Sequence, residues 1–322
     1  MPAGLGRALR ATYAGQLSTA PATWSWLLSL TAGARTSAQV NRISLSAAAS
    51  RMLAAIGPEP AAVISTFPLA SQVLGRLRLD GRLRAPAVAV LTDPSVHPLC
   101  VANGIDLHLA PGRACAREVP PGVRTVPVAA LVDPAFRLAR GPFEKAAARR
   151  RLGLPADERL AVVVSGSWGV GDVVSMVRDV GASSGLLPVV ACGRNERLRR
   201  QLSKMGDSIP LGWVSNMPQL LRAGDVVVHN AGGLTCREAM ASGVPVISYR
   251  CLPGHGTANA TVLAAAGLSP WPRTPDELTA ELLRTVDGTT TLARRAAVAA
   301  EAVSTNAADV IAGLCRRTAM AA

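Results

Sequence analysis

Residues 225–259 read DVVVHNAGGLTCREAMASGVPVISYRCLPGHGTAN, and this stretch decides the fold. Asp225–His229 is a short β-branched run, apolar enough to be a strand buried on both faces. It passes through Asn230-Ala231-Gly232-Gly233 into a helix predicted to begin near Leu234. Gly243 marks the end of that helix, and Val244–Tyr249 reads as the next strand. A strand, a glycine pair and a helix start together make an anion site: backbone comes close, N–H groups are unpaired and the helix dipole favours negative charge. Taken alone, the pair reads more readily as a tight βα turn, with Thr235-x-x-Glu238 as a capping box. The second loop, Pro253-Gly254-His255-Gly256 followed by Asn259, favours a site. In a parallel sheet both loops emerge at the carboxyl edge, where ligands of α/β folds bind.

AGGLT-x-x-EA-x-x-x-G-x-P followed by PG-x-x-x-x-N resembles the nucleotide-sugar half of the GT-B glycosyltransferases. More narrowly, it resembles the monogalactosyl- and glucosyl-diacylglycerol synthases of glycosyltransferase family 28, relatives of the N-acetylglucosaminyltransferase that forms lipid II. The resemblance runs from about Pro2 to Ala266. It implies an α/β chain of two Rossmann-like domains, residues 1–140 for the acceptor and 141–322 for the donor, with parallel sheets facing an interdomain cleft. It also implies that Gly232, Gly233, Leu234 and Thr235 face the UDP phosphates and that Glu238 grips the ribose hydroxyls. The last helix is expected to cross back to the first domain.

The chain has 322 residues, enough for two domains of ordinary size. Its formal net charge is +13, from 34 Lys and Arg against 21 Asp and Glu. That balance suits an anionic membrane surface or nucleic acid, or else a GC-rich coding sequence. Aromatic residues make up only 3% of the chain, which leaves little for base stacking, so nucleic acid is not expected as a partner. Six cysteines, at 100, 115, 192, 236, 251 and 315, show no CxxC or ligand spacing and read as small buried residues of a reducing compartment. No apolar run reaches the roughly 18 residues that a bilayer span needs. The expected location is cytoplasmic, on the inner face of the plasma membrane.

In chain order, the leucines, Tyr13, Trp24 and Trp26 of residues 1–31 suggest an amphipathic helix. It either docks on a bilayer interface or packs on the domain. In the resembled family such a segment lies over the acceptor cleft, which makes Trp24 and Trp26 acceptor-side candidates. There it also follows a strand and a glycine-rich loop whose histidine is the expected general base. That loop is missing ahead of Met1, and a truncated or mis-started chain, or a base located elsewhere, is the expectation.

A helix over Ser37–Ile56 precedes the strand Ala62–Thr66 and the helix Leu69–Leu79. The strands Ala87–Thr92, Ile105–Leu109 and Val123–Pro127 complete a β-α-β series. Asp93 and His97 follow the second of these strands. They read either as a turn cap and a solvated ring or as a proton-transfer pair. The family's Thr-Asp-x-x-x-His at this place implies an acceptor-side or catalytic role, with Pro68 lining the same cleft.

Residues 138–158 form a junction. The strand Leu160–Val164 opens the second half and runs into the glycine-rich loop 165–171. Gly166 and Ser167 in that loop face the phosphates by resemblance. No Walker lysine follows, so ATP binding of that kind is not expected. The strand Leu187–Cys192 ends in Gly193-Arg194, where a guanidinium can pair with diphosphate bidentately. Gly212-Trp213-Val214 follows the strand Ile209–Leu211. The resemblance sets backbone groups at Val214 beside the uracil, and Trp213 reads as a core residue. Beyond Asn259 come helices over 260–266 and 275–286 and one long helix from Thr291.

Where the family carries Pro-Gly-Gln-Glu ahead of its asparagine, this chain has Pro253-Gly254-His255-Gly256. A carboxylate expected on the sugar is lost, and His255 is left to replace one contact. No Asp-x-Asp is present, and no metal or cofactor is expected, because a helix dipole and arginines can stabilise a leaving diphosphate. The expected reaction moves a hexose from a UDP-sugar to diacylglycerol. The alternatives are a UDP-sugar-binding protein without transfer activity and a soluble UDP-sugar epimerase of the same fold.

Overall fold

The computed structural model describes residues 48–139, 141–182, 185–230 and 232–321. The Trp24 and Trp26 expectation, together with the N-terminal helix, lies outside the described residues. The chain divides into two compact units. Among the described residues, one holds 48–131 with 301–321 and the other holds the rest, 132–300.

The first unit opens with helix α1 (48–56) and carries four parallel strands: β1 (Val63–Ser65), β2 (Ala87–Val90), β3 (Leu107–Pro111) and β4 (Thr125–Val128), in that order across the sheet. Pro68 is the first residue of helix α2 (Pro68–Leu79), where its missing N–H and preset φ cost nothing. Val73, Leu74 and Leu77 of α2 bury against Ala49, Leu83 and Ala87, an i, i+1, i+4 stripe of one helix face. A five-residue helix, α3 (Arg113–Arg117), follows β3.

The second unit begins with α4 (Pro142–Leu152). Its strands are β5 (Arg159–Val164), β6 (Leu186–Ala191), β7 (Ile209–Leu211), β8 (Val226–His229) and β9 (Val246–Ser248), all parallel and ordered β7-β6-β5-β8-β9. The β5 and β8 valines are buried, as strands covered on both faces require. Helix α5 (Val173–Ala182) sets Val173, Met176, Val177 and Val180 on that sheet at helical spacing. Helices α6 (Glu196–Met205), α7 (Met217–Ala223), α8 (Gly233–Ala241), α9 (His255–Ala265) and α10 (Pro275–Val286) complete the β-α alternation.

Helix α4 is fastened by one buried side chain. Arg149 is 6% exposed. Its Nε donates to the Ala223 carbonyl at 3.0 Å and its Nη1 to those of Ala156 and Glu158 at 2.6 and 2.8 Å. Its Nη2 reaches Asp225 Oδ2 at 2.9 Å, an oxygen that also accepts the Leu160 N–H at 2.6 Å. Lys145 pairs with the other oxygen of Asp225.

The long C-terminal helix expected from Thr291 is in fact two, α11 (Thr291–Glu301) and α12 (Ala307–Ala321). The break comes at residues 302–306, where Asn306 Oδ1 accepts the Ala308 N–H at 2.8 Å and starts the second helix. Leu314 of α12, with Val310 and Ile311 beside it, packs on Val88, Leu107, Leu109 and Val128 of β2, β3 and β4. No helix of the described residues is long and apolar enough to cross a membrane.

Candidate functional site

In the second unit the chain runs β5, β6, β7 outward, then returns to the other side of β5 for β8 and β9. The strand order therefore reverses beside β5, and a crevice outside the carboxyl ends of β5 and β8 follows from that topology. The loops that border it are tied together. Asn230, at the end of β8, is fully buried and its Nδ2 donates to the Val170 carbonyl at 2.7 Å. Its own carbonyl accepts the Leu252 N–H at 2.7 Å. One residue thus joins the loop after β5, its own loop and the loop after β9. On the other side, the Arg194 N–H donates to the Ser167 carbonyl at 2.9 Å and links the loops after β6 and β5.

Glycine is required where these loops touch. A Cβ on Gly193 would lie 2.5 Å from the Ser167 carbonyl oxygen, and its φ of +61° is left-handed. Gly193→Ala is therefore expected to destabilise the second unit by at least about 1–2 kcal/mol, the cost of the left-handed backbone alone. Thermal unfolding measures it, and an unchanged midpoint would mean that the loops part freely.

Two helix starts face this edge without side-chain caps. The first residue of α8 is Gly233 and its cap position is Gly232. Thr235 is then the third helical residue, so the capping box fails: neither its hydroxyl nor the Glu238 carboxylate serves the helix start. Among the described residues, the amides of Gly233, Leu234 and Thr235 have no acceptor. Leu234 is an exposed residue. Helix α9 begins at His255 after Gly254, whose φ is 85°. The His255 and Gly256 amides likewise lack an acceptor among the described residues, while that of Thr257 goes to Leu252. These free N–H groups, at the positive ends of two helix dipoles, attract an anion.

Glu238 lies one turn into α8, half-buried, with no hydrogen-bond or ion-pair partner among the described residues. Burial pushes its carboxyl up to about 6. At the end of β8 the His229 ring is buried and its pKa is lowered to about 4 by desolvation. Its Nε2 meets Ser248 Oγ at 3.2 Å.

Arg194 is stacked on Trp213, its guanidinium carbon 4.7 Å from the ring centroid. Trp213 is 58% exposed, which corrects the core reading; it is the platform on which Arg194 rests at the rim. Neither Val214 backbone group has a partner among the described residues. Pro253 is exposed and His255 half-buried, whereas Asn259 is 1% exposed inside α9. Gly166 and Ser167 are exposed in the loop after β5.

Residues 169–287, which hold most of these groups, match the family model described as glycosyl transferases group 1. The chain carries a glycosyltransferase group 1 domain. A processive diacylglycerol beta-glucosyltransferase of Bacillus mycoides is 27% identical over 219 residues, covering 65% of this chain and 55% of that protein. The chain thus spans about half the length of the curated relatives it matches. Among solved structures, Anabaena HepE in complex with UDP and glucose aligns with a TM-score of 0.52 at 17% identity, over 91% of this chain and 82% of that one. The glycotransferase of kitacinnamycin aligns at 0.57 with 15% identity, over 89% and 83%. With two parallel-sheet α/β units, the chain has the GT-B fold, and the group 1 domain occupies the second of them.

Pro68, Asp93 and His97 belong to the first unit. Asp93 follows β2, and its carbonyl accepts the Cys115 thiol at 3.3 Å. His97 Nδ1 accepts the Leu99 N–H at 3.2 Å and caps a short 3-10 turn, Pro98–Cys100. Sequence reasoning did not single out Asn230 or Arg250. An asparagine before a glycine pair carries no signal for a tie between three loops.

Proposed function

We propose that the chain is a glycosyltransferase that takes a hexose from a UDP-sugar and passes it to a lipid hydroxyl, diacylglycerol in the first instance, at the cytoplasmic membrane face. The observation that carries the donor half is the pair of uncapped helix starts beside the unpartnered Glu238 carboxylate at the strand-order reversal. In this reading the Gly233, Leu234 and Thr235 amides hold the diphosphate, with Gly232 allowing close approach. Arg194 adds its charge from the rim, beside Gly193 and the exposed Gly166 and Ser167. The carboxylate of Glu238 accepts from the ribose hydroxyls, and the free backbone groups of Val214 read the uracil edge. Pro253, Gly254 and His255 face the hexose, and buried Asn259 supports that helix start from within. Charge that develops on the leaving diphosphate is met by donors already in place, and no metal enters the reading.

The acceptor rests on what the Bacillus relative is named for. Asp93 and His97 serve it from the first unit, beside Pro68. An imidazole and a carboxylate in the loop after β2 are groups that can take part in proton transfer from an acceptor hydroxyl.

The test is transfer of label from a panel of UDP-hexoses into liposomes containing diacylglycerol and an anionic lipid. A labelled glycolipid is the expected product and names the sugar. UDP binding without any product would leave a nucleotide-sugar-binding protein and overturn the transferase reading. Conversion of the free UDP-sugar in lipid-free buffer would make it an epimerase.

A further inference from the structure

Arg250 is the one non-glycine residue with positive φ, 46°, among the described residues. A residue with a Cβ is held in that well only when its surroundings insist on it. Here they do. Arg250 Nε and Nη2 both reach Asp179 Oδ2 at 2.8 Å, and Nη1 donates to Asp172 Oδ2 at 2.6 Å. Asp179 is in the body of α5, and Asp172 directly precedes it. The buried Tyr249 hydroxyl donates to the same Asp179 oxygen at 2.8 Å, so the acceptor is itself held in place. The guanidinium fork therefore pins the chain to α5 just after β9 ends. Four residues later the chain reaches Gly254 and the open start of α9. Between them Leu252 is tied to Asn230. The segment 250–254 thus has two anchors, and Arg250 sets the first.

We propose that Arg250 is a positioning residue for the sugar half of the donor. Its left-handed backbone and two-carboxylate fork fix the height at which Pro253, Gly254 and the His255 amide meet the hexose. The assignment rests on the donor reading above. It separates two halves of the ligand: among the described residues the Arg250 side chain bonds to Asp172 and Asp179, and not to Glu238 or Val214, where the UDP half is read.

The experiment compares the affinity of the full chain for UDP with that for UDP-glucose and UDP-galactose, in wild type, Arg250→Gly, Arg250→Lys and Asp179→Asn, with thermal midpoints alongside. Glycine takes φ of 46° freely and removes the fork; lysine keeps the charge and removes the fork. In both, UDP affinity is expected to stay within about twofold. The advantage of the better UDP-hexose over UDP is expected to fall about tenfold, the size of one hydrogen bond lost between the displaced 253–255 segment and the sugar. Adding Asp179→Asn to Arg250→Lys should cost little more than either change alone. UDP and UDP-hexose affinities that fall together with the midpoint would reduce Arg250 to a structural residue and overturn the proposal, as would an unchanged ratio. A wild-type chain that binds no UDP would overturn the donor reading and this assignment with it.

Discussion

Arg149→Ala is expected to remove about 3–5 kcal/mol from the second unit, the cost of leaving several carbonyls without their donor. The side chain is 6% exposed and its donors serve three carbonyls and Asp225. Truncation strands the three carbonyls, while Asp225 keeps the Leu160 N–H. Lys145 remains on the other Asp225 oxygen, but it is one-third exposed and reaches none of those carbonyls. Arg149→Lys should recover little, since an ammonium cannot replace a planar fork that spans four acceptors. Urea unfolding followed through the transition of the second unit measures the loss, and a change below about 1 kcal/mol would show that α4 is fastened by other means.

Glu238→Ala is expected to weaken UDP binding roughly 10- to 100-fold, the size of hydrogen bonds from two hydroxyls to a charged group. Stability should not fall with it, because the carboxylate caps nothing and pairs with nothing among the described residues. The pH dependence separates the two effects. The folded carboxyl titrates at about 6, above its ordinary 4.5, so the fold favours the protonated form. That penalty sets in as pH rises above 4.5 and is complete above 6. The ionised form accepts more strongly from hydroxyls, so UDP affinity of the wild type should rise through the same window more steeply than in Glu238→Gln, where the terminal phosphate of UDP titrates alone. Unchanged UDP affinity in Glu238→Ala would remove the ribose assignment.

Much of the second unit was legible from residue types. Valine runs after charged or glycine residues mark β5, β6 and β8 because parallel strands buried on both faces tolerate little else. Glycine pairs after strands marked the loops for the same steric reason. What was not legible depends on partners distant in sequence. Thr235-x-x-Glu238 has the spacing of a capping box, yet Gly233 already begins the helix, and the motif falls inside it. Trp213 looks like core by composition, but an arginine from another loop lies on its face. Arg250 carries no mark of its left-handed backbone, since the carboxylates that hold it come from α5 and the residue just before it, some 70 residues earlier. The helix break at 302–306 was hidden by the alanine-rich composition around it. Of the candidate site residues, those on glycine loops are marked by motif, and those that tie loops together emerge only in three dimensions.

The placement of α12 bears on the order in which the protein can be made. The first unit is not continuous: Leu314 and Ile311 cover β2, β3 and β4, strands synthesised some 200 residues earlier. Among the described residues the second unit is one stretch, 132–300, all of it translated before α12. On a ribosome adding 5–20 residues per second, the apolar face under α12 stays open for roughly 10–40 seconds after β4 appears. The half of the protein that is translated first is therefore the half that finishes folding last, and a nascent chain arrested near residue 300 would present that face to chaperones and to other chains.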